Sequence, residues 1–319
     1  MTFLLNIHFI LIMIVFIAGN LANGFIALVN CIDWVKRQRF SSADGILTGL
    51  AVSRIGLIWI TLINRYATVF VSASYTLEVN VIVNLAWITC NHLSTWLATC
   101  LNIFYLFKIA NFSNLLFFYL KRRIKRVVLA ILLGSSVFWI MHVAVTSVEE
   151  DVWTSEYEGN TTGMSTGKEM IRFSHMTVVT VVNFIPFLMS LASFLLLIFS
   201  LWKHLKKMQL RGKGSPDPST KVHIRAMQTM VSFLLLFTIF VLALIISLWS
   251  SNKLQNKLSL VFCESLLVLY PSSHSCILIW GNQKLKQVCM SLLRQLNCWL
   301  EERKQVGAPE SLCRKQTGV

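Results

Sequence analysis

The chain has 319 residues, of which 55% are hydrophobic and 13% carry a formal charge, and its mean hydropathy is +0.64. A soluble fold of this length needs nearer a quarter of its residues charged to cover its surface, so an ordinary soluble enzyme is excluded. The net charge of +15 would point to a polyanionic partner in a soluble protein; its distribution along the chain gives it another meaning, and no nucleic-acid partner is expected.

The apolar excess falls into seven stretches, at 7–31, 46–68, 83–107, 127–148, 176–202, 229–249 and 259–280. Each is about long enough to cross roughly 30 Å of hydrocarbon as a helix. The sequence therefore predicts an all-α, polytopic, seven-transmembrane helix bundle over 7–280, with a short N-terminal segment (1–6) and a tail (281–319). No intervening segment could build a catalytic domain of usual size. No Lys or Arg precedes the first stretch and no small-residue cleavage site follows it, so a removable signal peptide is not expected.

In the first span, Asn20 and Asn23 sit among small residues in the string Gly19-Asn20-Leu21-Ala22-Asn23-Gly24, where helices can approach closely and amides can bond across the gap. Arg54 lies about 12 Å into the second span at 1.5 Å per residue. A charge at that depth turns to the bundle interior, and a structural lock is the expected role for Arg54 with Asn20 and Asn23. The third span carries Trp87, Asn91 and His92 near its outer end. Trp87 and Asn91 are four apart and share a face. That pair reads equally as an aromatic plane over an amide, suited to an amphipathic ligand, or as an interfacial Trp above a packing Asn.

The segments after spans one, three and five, with the tail, hold 23 of the 29 Lys and Arg, whereas the opposite side holds four, Lys168, Arg172, Lys253 and Lys257. Basic residues near span ends favour the cytosol, which places the N-terminus outside and the C-terminus in the cytoplasm of a multi-pass plasma-membrane protein. The cluster Lys121, Arg122, Arg123, Lys125 and Arg126 would also meet anionic inner-leaflet lipid or a cytosolic protein. Asn160-Thr161-Thr162 is a glycosylation acceptor in the widest outer segment. A second match at Asn111 falls on the inner side. None of the eight cysteines lies in an outer segment, so no disulfide can hold the outer rim.

Pro186 removes a helix hydrogen bond in the fifth span. Past that span, Leu201, Leu205 and Met208 face away from Lys203, Lys206 and Lys207, as in a helix that continues beyond the membrane until the Gly212–Pro218 break. In the seventh span Glu264 is the one acid well inside any stretch, placed either to attract a ligand cation or to pair with a polar neighbour. Tyr270-Pro271-Ser272-Ser273-His274-Ser275 gathers a hinge further in. Leu285, Val288, Leu292, Leu296 and Trp299 give the tail an apolar face over about 283–299, fitting a short helix on the membrane surface. The seven histidines form no metal-ligand motif, and no cofactor is expected.

Specific strings sharpen this layout: Gly24-Phe25-Ile26-Ala27-Leu28-Val29-Asn30, Leu50-Ala51-Val52-Ser53-Arg54, Phe104 through Ser113, Leu197 to Met208, Asp217 to His223, and His274-Ser275 leading to Ile277-Leu278-Ile279-Trp280-Gly281-Asn282. In order and spacing they resemble the mammalian bitter taste receptors, a family of G-protein-coupled receptors, over nearly the whole chain to about residue 300. The resemblance implies a non-enzymatic receptor that binds bitter small organic compounds and activates a gustducin-type heterotrimeric G protein, leading to phospholipase C and calcium signalling. It implies ligand contacts at Trp87, Asn91, Phe240 and Glu264. It assigns coupling or activation to Tyr105 and Lys108, to Ser200, Leu201, His204 and Lys207, and to His274 and Ser275. The chain departs from close relatives at Phe240, where Tyr is frequent, and at Cys276, where Phe is common. A transporter, a membrane enzyme and a receptor for another small molecule are the rival classes; the first two lack the inverted halves or clustered catalytic residues they would need.

Overall fold

The computed structural model describes residues 2–37, 41–70, 77–110, 112, 114–157, 165–209, 218–250 and 257–306. Among them every regular element is helical: α1 (Thr2–Arg37), α2 (Ser42–Phe70), α3 (Leu77–Ile109), α4 (Leu115–Arg122), α5 (Ile124–Tyr157), α6 (Ser165–Gln209), α7 (Pro218–Ser250), α8 (Lys257–Gly281) and α9 (Gln283–Val306). Five described segments are long and apolar enough to cross a bilayer: Phe9–Lys36, Ser42–Asn64, Ile124–Val152, Gly167–Lys203 and Met227–Trp249. The chain is an all-α, multi-pass membrane protein. Its lipid-facing character shows in exposed apolar side chains such as Phe9, Leu21, Leu133, Leu188 and Leu235, a pattern that water would not tolerate over this area.

Neighbouring helices pack in the cyclic order α1, α2, α3, α5, α6, α7, α8 and back to α1, with α3 also touching α7. The ends alternate. Lys284 Nζ, at the start of α9, reaches Asp33 Oδ2 at 2.8 Å on α1 and Asp44 Oδ1 at 3.3 Å on α2, and it donates to Asn30 Oδ1 at 3.1 Å. At the opposite end, His175 Nδ1 of α6 meets Glu149 Oε2 of α5 at 2.6 Å, and Asn84 Nδ2 of α3 donates to Glu150 Oε1 at 2.6 Å. The long outer segment expected between spans four and five is therefore largely helix. α5 runs on to Tyr157 and α6 begins at Ser165, and side-chain pairing joins them where no disulfide could form.

Small residues set the closest approaches. A Cβ on Gly19 would overlap Ser272 Oγ of α8, and one on Gly56 would lie 2.8 Å from Cys90 Sγ of α3. The hydrophobic core runs through the middle of the bundle from Ile26, Leu47 and Leu50 to Phe233, Phe237, Phe240 and Tyr270. Pro186 and Pro271 both lie inside continuous helices. α4 is an element the apolar pattern did not announce: it is capped by Asn114, whose Oδ1 accepts from Leu116 N at 3.0 Å, and Lys121 Nζ donates to Ala110 O at 2.9 Å beyond the end of α3. α9 starts on Asn282, whose Oδ1 accepts from Lys284 N at 3.0 Å, satisfying a first-turn amide.

Candidate functional site

Two chambers open at the end of the bundle marked by Glu149 and His175. The first, about 270 Å3, is enclosed by α1, α2, α3, α7 and α8, and its walls are mainly apolar: Ile12, Phe16, Ile58, Leu62, Leu267 and Val268. The second, about 350 Å3, lies between α3, α5, α6 and α7 and carries titratable side chains that the first lacks, with His142, Glu149, Glu150 and His175 beside Thr146 on its surface. Asn84, Trp87, Leu244 and Leu248 line both. Trp87 thus stands between a space without charged side chains and one with them, common wall to both.

The other residues marked from the sequence as ligand contacts lie elsewhere. Asn91 is one turn deeper than Trp87, 3% exposed, and its Nδ2 donates to Asn183 Oδ1 of α6 at 3.3 Å; its Oδ1 has no partner. Phe240 is buried in the core, with its ring centroid 4.9 Å from Tyr270 and 6.1 Å from Phe237. The Glu264 side chain and Asn160 lie outside the described residues.

Below Phe240 an aromatic column continues inward. Phe237 and Tyr270 stack at 5.6 Å, Phe233 sits 5.3 Å from Phe237, and Phe233 lies 4.9 Å from His274. The column ends on Arg54. Its guanidinium is fully buried and lies 5.4 Å from the Tyr270 ring centroid. Nε donates to Ser94 Oγ at 3.4 Å, one terminal nitrogen donates to Ser275 Oγ at 3.0 Å, and the other pairs with His274 Nδ1. The Ser275 hydroxyl in turn lies 2.7 Å from Asn23 Oδ1 and 2.8 Å from Pro271 O, and Asn23 Nδ2 donates to Gly19 O at 2.8 Å. Four helices, α1, α2, α3 and α8, converge on one cation whose described partners are all uncharged. Its planar fork meets the three partners through three separate nitrogens, whereas a lysine would have to reach them all from one. Asn20 stands apart from this network: its Oδ1 accepts from Trp59 Nε1 at 3.1 Å on the α1–α2 face.

Comparison with known proteins decides the lineage. The family model described as taste receptor protein (TAS2R) matches residues 1–297. The chain is 55% identical over 302 residues to a human protein named putative taste receptor type 2 member 33, covering 95% of this chain and 98% of that relative. It is 56% identical over 296 residues to taste receptor type 2 member 19 of Pan paniscus, covering 93% and 99%. To human taste receptor type 2 member 46 it is 54% identical over 303 residues, covering 95% and 98%. The chain belongs to the TAS2R bitter taste receptor family.

A taste receptor of this family is not an enzyme, and among the described residues no group of three or more His, Cys, Asp or Glu could hold a metal ion. At the end opposite the chambers, the receptor's residues marked for coupling divide by environment. Lys108 is exposed, with its Nζ 5.9 Å from the Phe104 ring centroid. Tyr105 is half-buried and edge-on to Phe104 at 6.4 Å. Ser200 and Leu201 are buried on α6, beside a small cluster of Leu106, Ala110, Leu197 and Met230 that draws α3, α6 and α7 together. His274 and Ser275 belong to the Arg54 network inside the bundle, and the side chains of His204 and Lys207 lie outside the described residues.

The taste receptor's chambers also contain residues the sequence did not mark. Asn84 could have been found, because it lies three residues before Trp87 and so shares its helix face. His142, Glu149, Glu150 and His175 carried no such signal; α5 and α6 meet at these positions only in three dimensions.

Proposed function

We propose that this chain is a bitter taste receptor whose seven helices α1, α2, α3, α5, α6, α7 and α8 all cross the plasma membrane, with the N-terminus outside and the C-terminus in the cytoplasm. In α3 three polar side chains of the apolar stretch turn to protein: Asn84 to Glu150, Asn91 to Asn183 and His92 to Ser135 Oγ at 3.2 Å. Such inward turning is what a membrane-spanning helix with polar residues requires. Trp87 and Lys108 are 21 residues apart on that helix, about 32 Å at 1.5 Å per residue, so one lies at each face of the bilayer.

Bitter small organic compounds enter from outside and bind against Trp87, with Asn91, Phe240 and Glu264 lining the deeper or neighbouring wall once the bundle rearranges around the ligand. Binding shifts the receptor toward an active arrangement only as far as the compound prefers that arrangement. The inner ends of α6 and α7 then part from α3, and a gustducin-type heterotrimeric G protein docks on the inner rim. That rim includes Tyr105, Lys108, the 121–126 cluster and the end of α6 with Ser200, Leu201, His204 and Lys207, while His274 and Ser275 pass the change through Arg54. The exposed apolar side chains of α9, among them Leu292, Leu296 and Trp299, rest on inner-leaflet lipid, and Asn160 carries a glycan outside.

The observation that carries this reading is Trp87, common wall of two chambers at the acidic end, in a chain matched by the taste receptor family model over residues 1–297. The test is a cell-based calcium assay against chemically varied bitter compounds, with a gustducin-like chimera present and absent. Trp87→Ala is expected to raise the half-maximal concentration at least tenfold for agonists that stack on it, at unchanged surface expression. Responses independent of the chimera, or an unaltered concentration dependence for every agonist, overturn the assignment.

A further inference from the structure

The second chamber differs from the first in holding titratable side chains. Its charged lining is acidic, and among the described residues no lysine or arginine faces into it. Glu149 is held by His175 at 2.6 Å, with the two side chains 18% and 13% exposed. Glu150 accepts from the Asn84 amide. The indole of Trp87 forms part of the same wall, and an aromatic face attracts a cation within about 6 Å of its centroid. Lining that combines carboxylate, imidazole and indole suits an alkylammonium group. The adjoining chamber, walled by Phe16, Ile58, Leu62 and Leu267, suits the apolar body attached to it.

Resting on the reading of the chain as a bitter receptor, we infer that the α3–α5–α6 chamber is the subsite for the protonated amine of a bitter organic cation, with Glu149 as its anionic anchor and His175 as the residue that holds that carboxylate in place. The apolar part of the same molecule crosses beneath Trp87 into the first chamber. This assignment separates the amine from Glu264, which lies on α8, across the bundle from α5. It also gives the acidic outer side of the receptor a function, since the outer segments carry four basic residues against seven acidic ones. A field of that sign concentrates cations at the entrance.

The test uses the full-length receptor in the calcium assay with matched probes: tertiary amines that activate it, and the corresponding amides, which keep the shape and lose the charge. Glu149→Gln is expected to raise the half-maximal concentration of the amines tenfold or more and to leave the amides within twofold. His175→Asn is expected to raise it less, in the same direction. The amide response and surface labelling report folding in each variant, and Glu149→Asp is expected to recover part of the amine response. Three results overturn the inference: equal shifts for amines and amides, loss of amine preference at Glu264→Gln but not at Glu149→Gln, or activation of the unsubstituted receptor by amides but by no amine. In each of these the receptor still answers bitter compounds, so they are distinct from failure of the functional reading, in which no compound of either class elicits a response that depends on the G protein.

Discussion

Replacing Gly19 by alanine is expected to drive α1 away from α8. The new Cβ would overlap Ser272 Oγ and lie 2.9 Å from both Ser272 Cβ and Ile58 Cδ1. The isoleucine methyl is the end of a flexible chain and can turn aside. The serine hydroxyl can rotate only by giving up its 3.1 Å bond to Val268 O, at about 1 kcal/mol. Its Cβ cannot rotate away, because it is fixed to the α8 backbone. Overpacking of this kind costs typically 1–3 kcal/mol, against which alanine regains about 0.5–1 kcal/mol of helix propensity. The net destabilisation is about 2 kcal/mol, or a fall of about 4 °C in melting temperature by the usual scaling for a chain of this size. Thermal denaturation of the detergent-solubilised receptor, followed by thiol-reactive dye or ligand-independent fluorescence size exclusion, measures it. Gly24 supplies the internal control: nothing lies within 4 Å of its would-be Cβ, so Gly24→Ala should raise the melting temperature slightly. Ser272→Gly removes both obstructing serine atoms and should rescue Gly19→Ala. If Gly19→Ala is as stable as the parent, or if Ser272→Gly fails to rescue it, the close approach of α1 and α8 is not what holds this part of the bundle.

Two further substitutions probe the inner half. Arg54→Lys keeps the charge but loses the fork, leaving at least one of Ser94, His274 and Ser275 without its donor; a cost of about 1–3 kcal/mol is expected as lower surface expression and melting temperature, and parity with the parent receptor would refute the lock. Lys284→Met removes contacts to Asp33 and Asp44 from a side chain 31% exposed. A pair so accessible contributes about 1 kcal/mol or less, so amide exchange at the start of α9 should quicken by no more than about fivefold, and a global loss of folding would mean that the tether has been underrated.

How much of this was readable beforehand depended on whether the signal was local. The helices that cross the bilayer follow from uninterrupted apolar runs, and a buried role for Arg54 follows from the cost of placing a charge at that depth. Asn23 was paired with Asn20 by a shared string, yet only Asn23 joins the Arg54 network, while Asn20 turns to Trp59. Which way an amide points depends on the neighbouring helix, and that neighbour is not written in the string. The same holds for Gly19 and Gly24: both are small, but one faces α8 and the other faces open space. α4 was missed because eight residues with four large exposed apolar side chains, Leu115, Leu116, Phe118 and Tyr119, resemble a loop in any window tuned to membrane spans. Trp87 drew notice because an aromatic one turn from an amide near a helix end is conspicuous, and it lines both chambers. The acidic chamber beside it was not, since its parts come from positions 84, 149 and 175 and only folding brings them together.

The column of rings between Leu244 and Arg54 has a mechanical consequence. Packed protein interiors are about as dense as organic crystals and compress little, and Phe240, Phe237, Phe233, Tyr270 and His274 succeed one another at centroid spacings of 4.9–6.3 Å. A wedge driven in at Leu244 therefore cannot be absorbed locally as it would be in a soft liquid. It is expected to appear as a tilt of α7 against α8, with the fulcrum at the stacked rings and the long arm toward Pro218. A lever of that shape turns displacement at the chamber end into displacement at the far end of α7, whatever group supplies the bulk.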